Sequence, residues 1–215
     1  VEIIKIIGQF FTNSVEVRNL GFNWKSASAL LSIILTTYQM WGVTQQIKTI
    51  NRRQSAELII TPFFIFSFFY LLIAILYGVY SDKLSIAYNG LGAFFILGVL
   101  IAAWHYRKIS RLDYLSILVF SMMIPVMVIM PDKKVAYMGC AAVVLIGMLW
   151  QLIILIIYKK RGSLEPKLID VYVITNTSWL IYGLLTKDWA FQVSSAIGLS
   201  LLIPISILLR KYKDS

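Results

Sequence analysis

The chain has 215 residues, of which 59% are hydrophobic and 14% charged, with a net charge of +10. Its apolar residues gather in runs of about 20, more than a soluble domain of this length hides and enough for helices that cross a hydrocarbon core of roughly 30 Å. The runs do not alternate, which excludes a β-barrel. The cations sit in short connectors between the runs, which excludes nucleic acid as the partner.

Residues 1–25 do not span. Val1 to Phe11 is apolar but broken by Glu2, Lys5 and Gln9, and it is too short to cross; it reads as an interfacial amphipathic helix. Asn13 to Lys25 reads as a polar surface segment. The first span covers about Ser26 to Ile50 and ends at Asn51-Arg52-Arg53. The second covers Leu58 to Tyr80, with Pro62 in its first turns, where a missing N–H costs least. Ser81-Asp82-Lys83 is a tight turn, and the third span runs from Leu84 to Tyr106. A basic connector, Arg107 to Arg111, leads to the fourth, Leu112 to Met130. The fifth covers Val135 to Tyr158, the sixth Pro166 to Leu185 and the seventh Trp189 to Leu209, before a basic tail.

An internal repeat organises these spans. Tyr77-Gly78 and Tyr182-Gly183 stand 105 residues apart, as do Gly42 and Gly147, and Gln46 and Gln151. Asp82 and Asp188, and Gly92 and Gly198, stand 106 apart. The offset pairs spans one to three with spans five to seven and leaves span four alone. The expected fold is an all-α membrane protein with seven transmembrane helices. Two parallel three-helix repeats, 26–106 and 135–215, are joined by a linker helix within 107–134, an arrangement that secondary transporters use. Lys5, Arg18, Lys25, Lys83, Lys133, Lys134 and Lys187 fall on the N-terminal side, and the rest of the 20 Lys and Arg on the other. That bias puts the C-terminus in the cytoplasm and the N-terminus outside or in a lumen.

The candidate chemistry is sparse. Cys140 is the single cysteine and cannot form an intrachain disulfide; His105 is the single histidine. No catalytic constellation, metal cluster or phosphate loop is present, so the chain reads as a non-enzyme without a cofactor. In span six, Tyr172, Asn176, Trp179 and Gly183 follow at spacings of four, three and four. One helix face thus carries hydrogen-bonding groups beside a flat ring, suited to a polar solute in a bundle interior; the alternative is a packed aromatic. Asn89 lies in span three, where its alternative is an inter-helix hydrogen bond of about 1 kcal/mol. Asp170 is the acid inside a span. It is either a proton-coupling group, or an interfacial acid paired with Lys167 three residues away.

Three spans, a linker span and three more, with Trp179-Leu180-Ile181-Tyr182-Gly183 and Asn89-Gly90-Leu91-Gly92, resemble the SWEET sugar transporters and the wider PQ-loop family over about Ser26 to Lys213. The resemblance implies a binding site near mid-membrane with Asn89, Trp179, Ser195, Asn176 and Tyr172 at the solute. Ser195 stands where the family has a second Asn, and Ile73 or Ala74 where it has a second Trp. Gln46 and Gln151 match the Pro-Gln motif, but Gln45 and Trp150 replace its proline, leaving Gly42 and Gly147 to supply the hinges. Tyr77 and Tyr182 fall at an extracellular gate. The implied function is facilitated diffusion of a small polar, sugar-like solute across the lipid bilayer. Two alternatives are a proton-coupled carrier of amino acids or cations, with Asp170 as coupling acid, and a receptor for a luminal ligand on the same fold. Association into a homo-oligomer is left open by the sequence.

Overall fold

The computed structural model describes residues 9, 10, 12–18, 23–56, 59–160 and 162–212, and these form helices joined by short turns. A helical turn, Val15–Arg18, precedes α1 (Trp24–Arg53). Then come α2 (Thr61–Tyr80), α3 (Leu84–Tyr106), α4 (Arg111–Ile129), α5 (Lys133–Tyr158), α6 (Pro166–Thr186) and α7 (Trp189–Lys211). Helix α3 is interrupted at Leu91 and α4 at Met122. The side holding the start of α1 is termed the N face, and the side holding its end the C face.

Each helix begins or ends within about three residues of its expected span, because the signals are local. Pro62 and Pro166 sit in the first turns of α2 and α6, positions whose N–H has no helical partner anyway. Asn23, Asp132, Glu165 and Asp188 accept backbone N–H groups at the starts of α1, α5, α6 and α7, as short polar side chains do at an N-cap. At the end of α4, the Lys133 ammonium donates to the carbonyls of Met127, Val128 and Met130 and lies 4.6 Å from the Tyr80 ring.

The expected seven spans are met in part. Six helices, α2 to α7, are long and apolar enough to cross a membrane; α1, though 30 residues long, is too polar to join them on composition. The reason is its buried face. Ser28, Ser32, Thr36, Gln46 and Thr49 point inward, and several are paired there: Thr49 donates to Glu165 at 2.7 Å and Gln46 to the Ser163 carbonyl at 2.7 Å. Polar groups satisfied inside the bundle lower a hydropathy score without facing lipid. The protein is an all-α membrane protein.

The segment before α1 also differs from its expected form. Val1 to Phe11, read as an interfacial helix, lies outside the described residues except for Gln9 and Phe10. Beyond it, the stretch is not a plain surface linker, since Ser14 is fully buried and Glu16 reaches the N face of the bundle.

Helix α3 packs against α1 and α2, and α7 against α5 and α6. Helix α1 packs on α6, α2 on α5, and α4 on α2. Small residues mark the closest approaches, as in lipid, where packing replaces the hydrophobic drive between helices. A Cβ on Gly42 would lie 3.5 Å from Val171 and 3.6 Å from Leu168; on Gly147, 3.4 Å from Phe66 and 3.2 Å from Phe63. Each of these pairs is offset by the same 105 residues. Gly78 and Gly183 repeat the pattern against Ala87 and Gln192.

Candidate solute site

The core of the bundle holds a cavity with about 90 Å³ open to the centre of a water-sized sphere. About 10–15 Å³ on that measure holds one water, so the space takes several waters or a small solute. It is lined by Gln39 of α1, Ser67 and Tyr70 of α2, Asn89 of α3, Val144 and Met148 of α5, Tyr172, Asn176 and Trp179 of α6, and Phe191, Ser194 and Ser195 of α7, among others. Among the described residues, α4 contributes none of the lining.

All five residues singled out for the solute, Asn89, Tyr172, Asn176, Trp179 and Ser195, line this one cavity. Their placement follows from helical spacing. The stripe on α6 turns inward, while Ile174, Ile181 and Leu184 on its other side are exposed. Asn89 is buried beside the break in α3 and accepts a long contact of 3.5 Å from Thr36. Asn176 donates to the Tyr172 carbonyl at 3.0 Å, and its Oδ1 lies where a Cβ on Gly198 would come within 2.9 Å. The glycine leaves room for the amide. Every lining side chain is uncharged; the polar ones are hydroxyls and amides, and Phe63, Tyr70, Tyr172, Trp179 and Phe191 supply ring faces and edges. A cavity of this kind binds by hydrogen bonds and ring contact and offers a charge no counter-ion.

Gln39, Ser67, Tyr70, Phe191 and Ser194 were not singled out from the sequence. Ser194 adjoins Ser195, and Ser67 and Tyr70 sit three apart on one helix face, but serines and aromatics are too common in spans for such spacing to stand out.

An aromatic layer lies on the N-face side of the cavity. Tyr137 stacks on Tyr77 and Phe191, with ring centroids 4.6 and 5.2 Å away, and Trp179 meets Tyr182 edge to face at 5.5 Å. The Tyr70 and Tyr137 hydroxyls are hydrogen-bonded to each other. Above this layer the Tyr77 hydroxyl donates to Asp188 Oδ2 at 2.9 Å, and Lys83 forms an ion pair with the same oxygen. Asp188 is fully buried, and its Oδ1 accepts the Ala190 N–H at 3.2 Å. Burial pushes the Asp188 carboxyl up, but the hydrogen bond and charge of Lys83 and the bond from Tyr77 outweigh it and hold the carboxyl below its usual range. Tyr182 donates to Glu16 at 3.0 Å.

On the C face, Gln46 spans the turn before α6: Nε2 donates to the Ser163 carbonyl at 2.7 Å, and Oε1 accepts the Glu165 N–H at 2.8 Å. Arg53 donates to the Gly162 carbonyl at 2.6 Å. The repeat mate of Gln46, Gln151, is buried, and its Oε1 has no partner among the described residues. Asp170 does not line the cavity. It lies between α6 and α7, where Ser206 donates to it at 2.5 Å and Arg210 pairs with it at 3.0 Å. Its cationic partner is therefore Arg210 on the neighbouring helix, in place of the expected Lys167. As the acid immediately before α7, Asp188 carries an N-cap signal in the sequence, but its tyrosine and lysine partners are more than 100 residues away.

No protein-family profile matches the chain, and no curated protein does. Among solved structures, a eukaryotic SWEET transporter is similar over 87% of this chain and 96% of its own, at 21% identity and a TM-score of 0.59. A likeness at that identity speaks to architecture, and on it this chain has a SWEET-like fold.

Proposed function

We propose that the protein moves a small, uncharged polar solute across a lipid bilayer by alternating access, without ATP or a cofactor. The observation that carries this reading is the central cavity: six helices enclose it, and its lining sets hydroxyls and amides among aromatic and aliphatic side chains, with no charge among the described residues. Support for two three-helix units comes from the packing. Exchanging α1 with α5, α2 with α6 and α3 with α7 carries the contacts α1–α3, α2–α3 and α1–α6 onto α5–α7, α6–α7 and α5–α2. Helix α4 has no counterpart and is the linker. In this reading residues 26–106 and 135–215 rock about their glycine crossings, with Gly42 and Gly147 as pivots. The Tyr77–Asp188–Lys83 cluster and Tyr182 form the gate on the N face. Gln46 latches the C face, and Gln151 is the corresponding element of the other half. The Lys and Arg bias puts the N face outside or in a lumen and the C face in the cytoplasm. The likeness to a SWEET transporter supports a sugar-like solute.

Nothing favours proton coupling through Asp170, which pairs with Arg210 away from the cavity. A receptor for an anionic ligand would need a cation in the lining, which has none among the described residues. The test is a thermal-shift screen of purified protein against neutral polyhydroxylated solutes, amino acids and organic cations, followed by flux in proteoliposomes. Neutral solutes should raise the melting temperature, since a ligand bound only by the native state stabilises it, and should be taken up. Stabilisation by charged solutes alone would overturn the reading.

A further inference from the structure

The N face carries two tyrosine-to-carboxylate contacts built to one plan, although only one of the two carboxylates comes from the repeat itself. Tyr77, from the end of α2, donates to Asp188, which caps the N-terminus of α7. Tyr182, its mate 105 residues on, ends α6 and donates to a carboxylate at the N-terminus of α3. In the fold the residue equivalent to Asp188 is Lys83, 105 residues earlier and likewise at the cap position of its helix; the acid of that turn, Asp82, stands one residue early, exposed at φ 53° like Lys187, and the start of α3 has no side-chain cap from its own turn. Glu16 fills the place. Its Oε2 accepts the Leu84 N–H at 3.0 Å; its Oε1 accepts the Ser85 N–H at 3.3 Å, the Ser85 hydroxyl at 2.8 Å and the Tyr182 hydroxyl at 3.0 Å. A carboxylate at a helix start is held both by the free N–H groups and by the helix dipole.

We infer that Glu16 is a gating residue: the segment before the first span supplies the carboxylate of a second latch that holds α6 to α3 and keeps the N face closed. This rests on the transport reading. It makes the N-terminal segment a working part of the gate. The two latches tie opposite pairs of helices, α2 to α7 and α6 to α3, so each restrains the same separation of the two halves from one side.

The test uses the full chain in oriented vesicles, with a reporter cysteine at the cavity (Ser194→Cys in a Cys140→Ser background) and an impermeant maleimide applied from either face. Glu16→Gln keeps one carbonyl oxygen for the backbone N–H groups of α3, so the cap survives while the charged acceptor for Tyr182 is lost. It should raise labelling from the N face by about tenfold, the change expected from losing a hydrogen bond to a charged group, and leave C-face labelling no faster. Tyr182→Phe should do the same, and the double variant should add nothing to either single one. Tyr77→Phe, in the other latch, should add to Glu16→Gln. Unchanged labelling in Glu16→Gln, with Tyr77→Phe accelerated, would overturn the role of Glu16 and spare the transport reading. Equal acceleration from both faces would mean general loosening and also overturn it. If Tyr77→Phe failed to accelerate labelling as well, the N-face gate itself would fall.

Discussion

The equivalent glycines Gly78 and Gly183 allow a graded test of how closely the helices approach. A Cβ on Gly78 would stand 2.4 Å from the Ala87 backbone nitrogen and 2.8 Å from its Cα. Both are backbone atoms of α3, and the shortfall from ordinary contact is about 1 Å, so α2 and α3 would have to part. Overpacking of this kind costs about 1–3 kcal/mol or more, against a gain of about 0.8–1.0 kcal/mol from replacing glycine by alanine within a helix. The net effect of Gly78→Ala is then a loss of roughly 1–2 kcal/mol. At Gly183 the nearest atoms are at 3.0 Å, Gln192 N and Phe191 Cβ. The strain is smaller, the propensity gain nearly offsets it, and Gly183→Ala should be close to neutral. Gly139, with nothing within 4 Å, should gain stability as alanine. Melting curves in detergent should therefore rank Gly78→Ala below Gly183→Ala and both below Gly139→Ala. At about 2–4 °C per kcal/mol for a chain of this size, the ends of the series should differ by roughly 4–12 °C. Gly78→Ala melting at or above wild type would refute the argument, because it would mean that α2 and α3 are not in backbone contact there.

Trp179→Ala should weaken solute binding roughly threefold to tenfold, from ring contacts worth about 0.5–1.5 kcal/mol, with the protein still folded; titration of the solute by calorimetry checks it. The Asp188 carboxyl is held low, so its stabilisation is complete above the unfolded carboxylate value of about 3.9 and is lost as pH falls through the lower folded value. The melting-temperature gap between wild type and Asp188→Asn should therefore stay constant from pH 7 to pH 5 and close only under strong acid. Asp170→Asn should cost about 0–1 kcal/mol, as for an exposed pair, and leave flux indifferent to an imposed pH gradient, measured in proteoliposomes. Single-cysteine labelling of the chain ends should find Ser215 on the cytoplasmic side; a cytoplasmic N-terminus would overturn the orientation.

The sequence by itself determined the helices and their ends. Runs such as Val135 to Tyr158 are apolar along nearly their whole length, and Asp132, Glu165 and Asp188 mark helix starts through contacts two or three residues away. The 105-residue offset was also legible, because paired glycines must recur wherever equivalent helices touch. From local spacing alone, Tyr172, Asn176 and Trp179 could be put on one face. Tertiary structure decided what that face meets: the cavity needs six helices together, and Gln39, Ser67 and Phe191 enter it from three of them with no local signal. It also decided the partners of the acids. Asp170 could reach Lys167 by helical spacing, but α7 brings Arg210 and Ser206 closer. Glu16 lies 166 residues from Tyr182 in a segment that reads as polar linker. An acid in sequence has many partners within reach; only packing, which buries some acids and leaves Asp82 in solvent, selects among them.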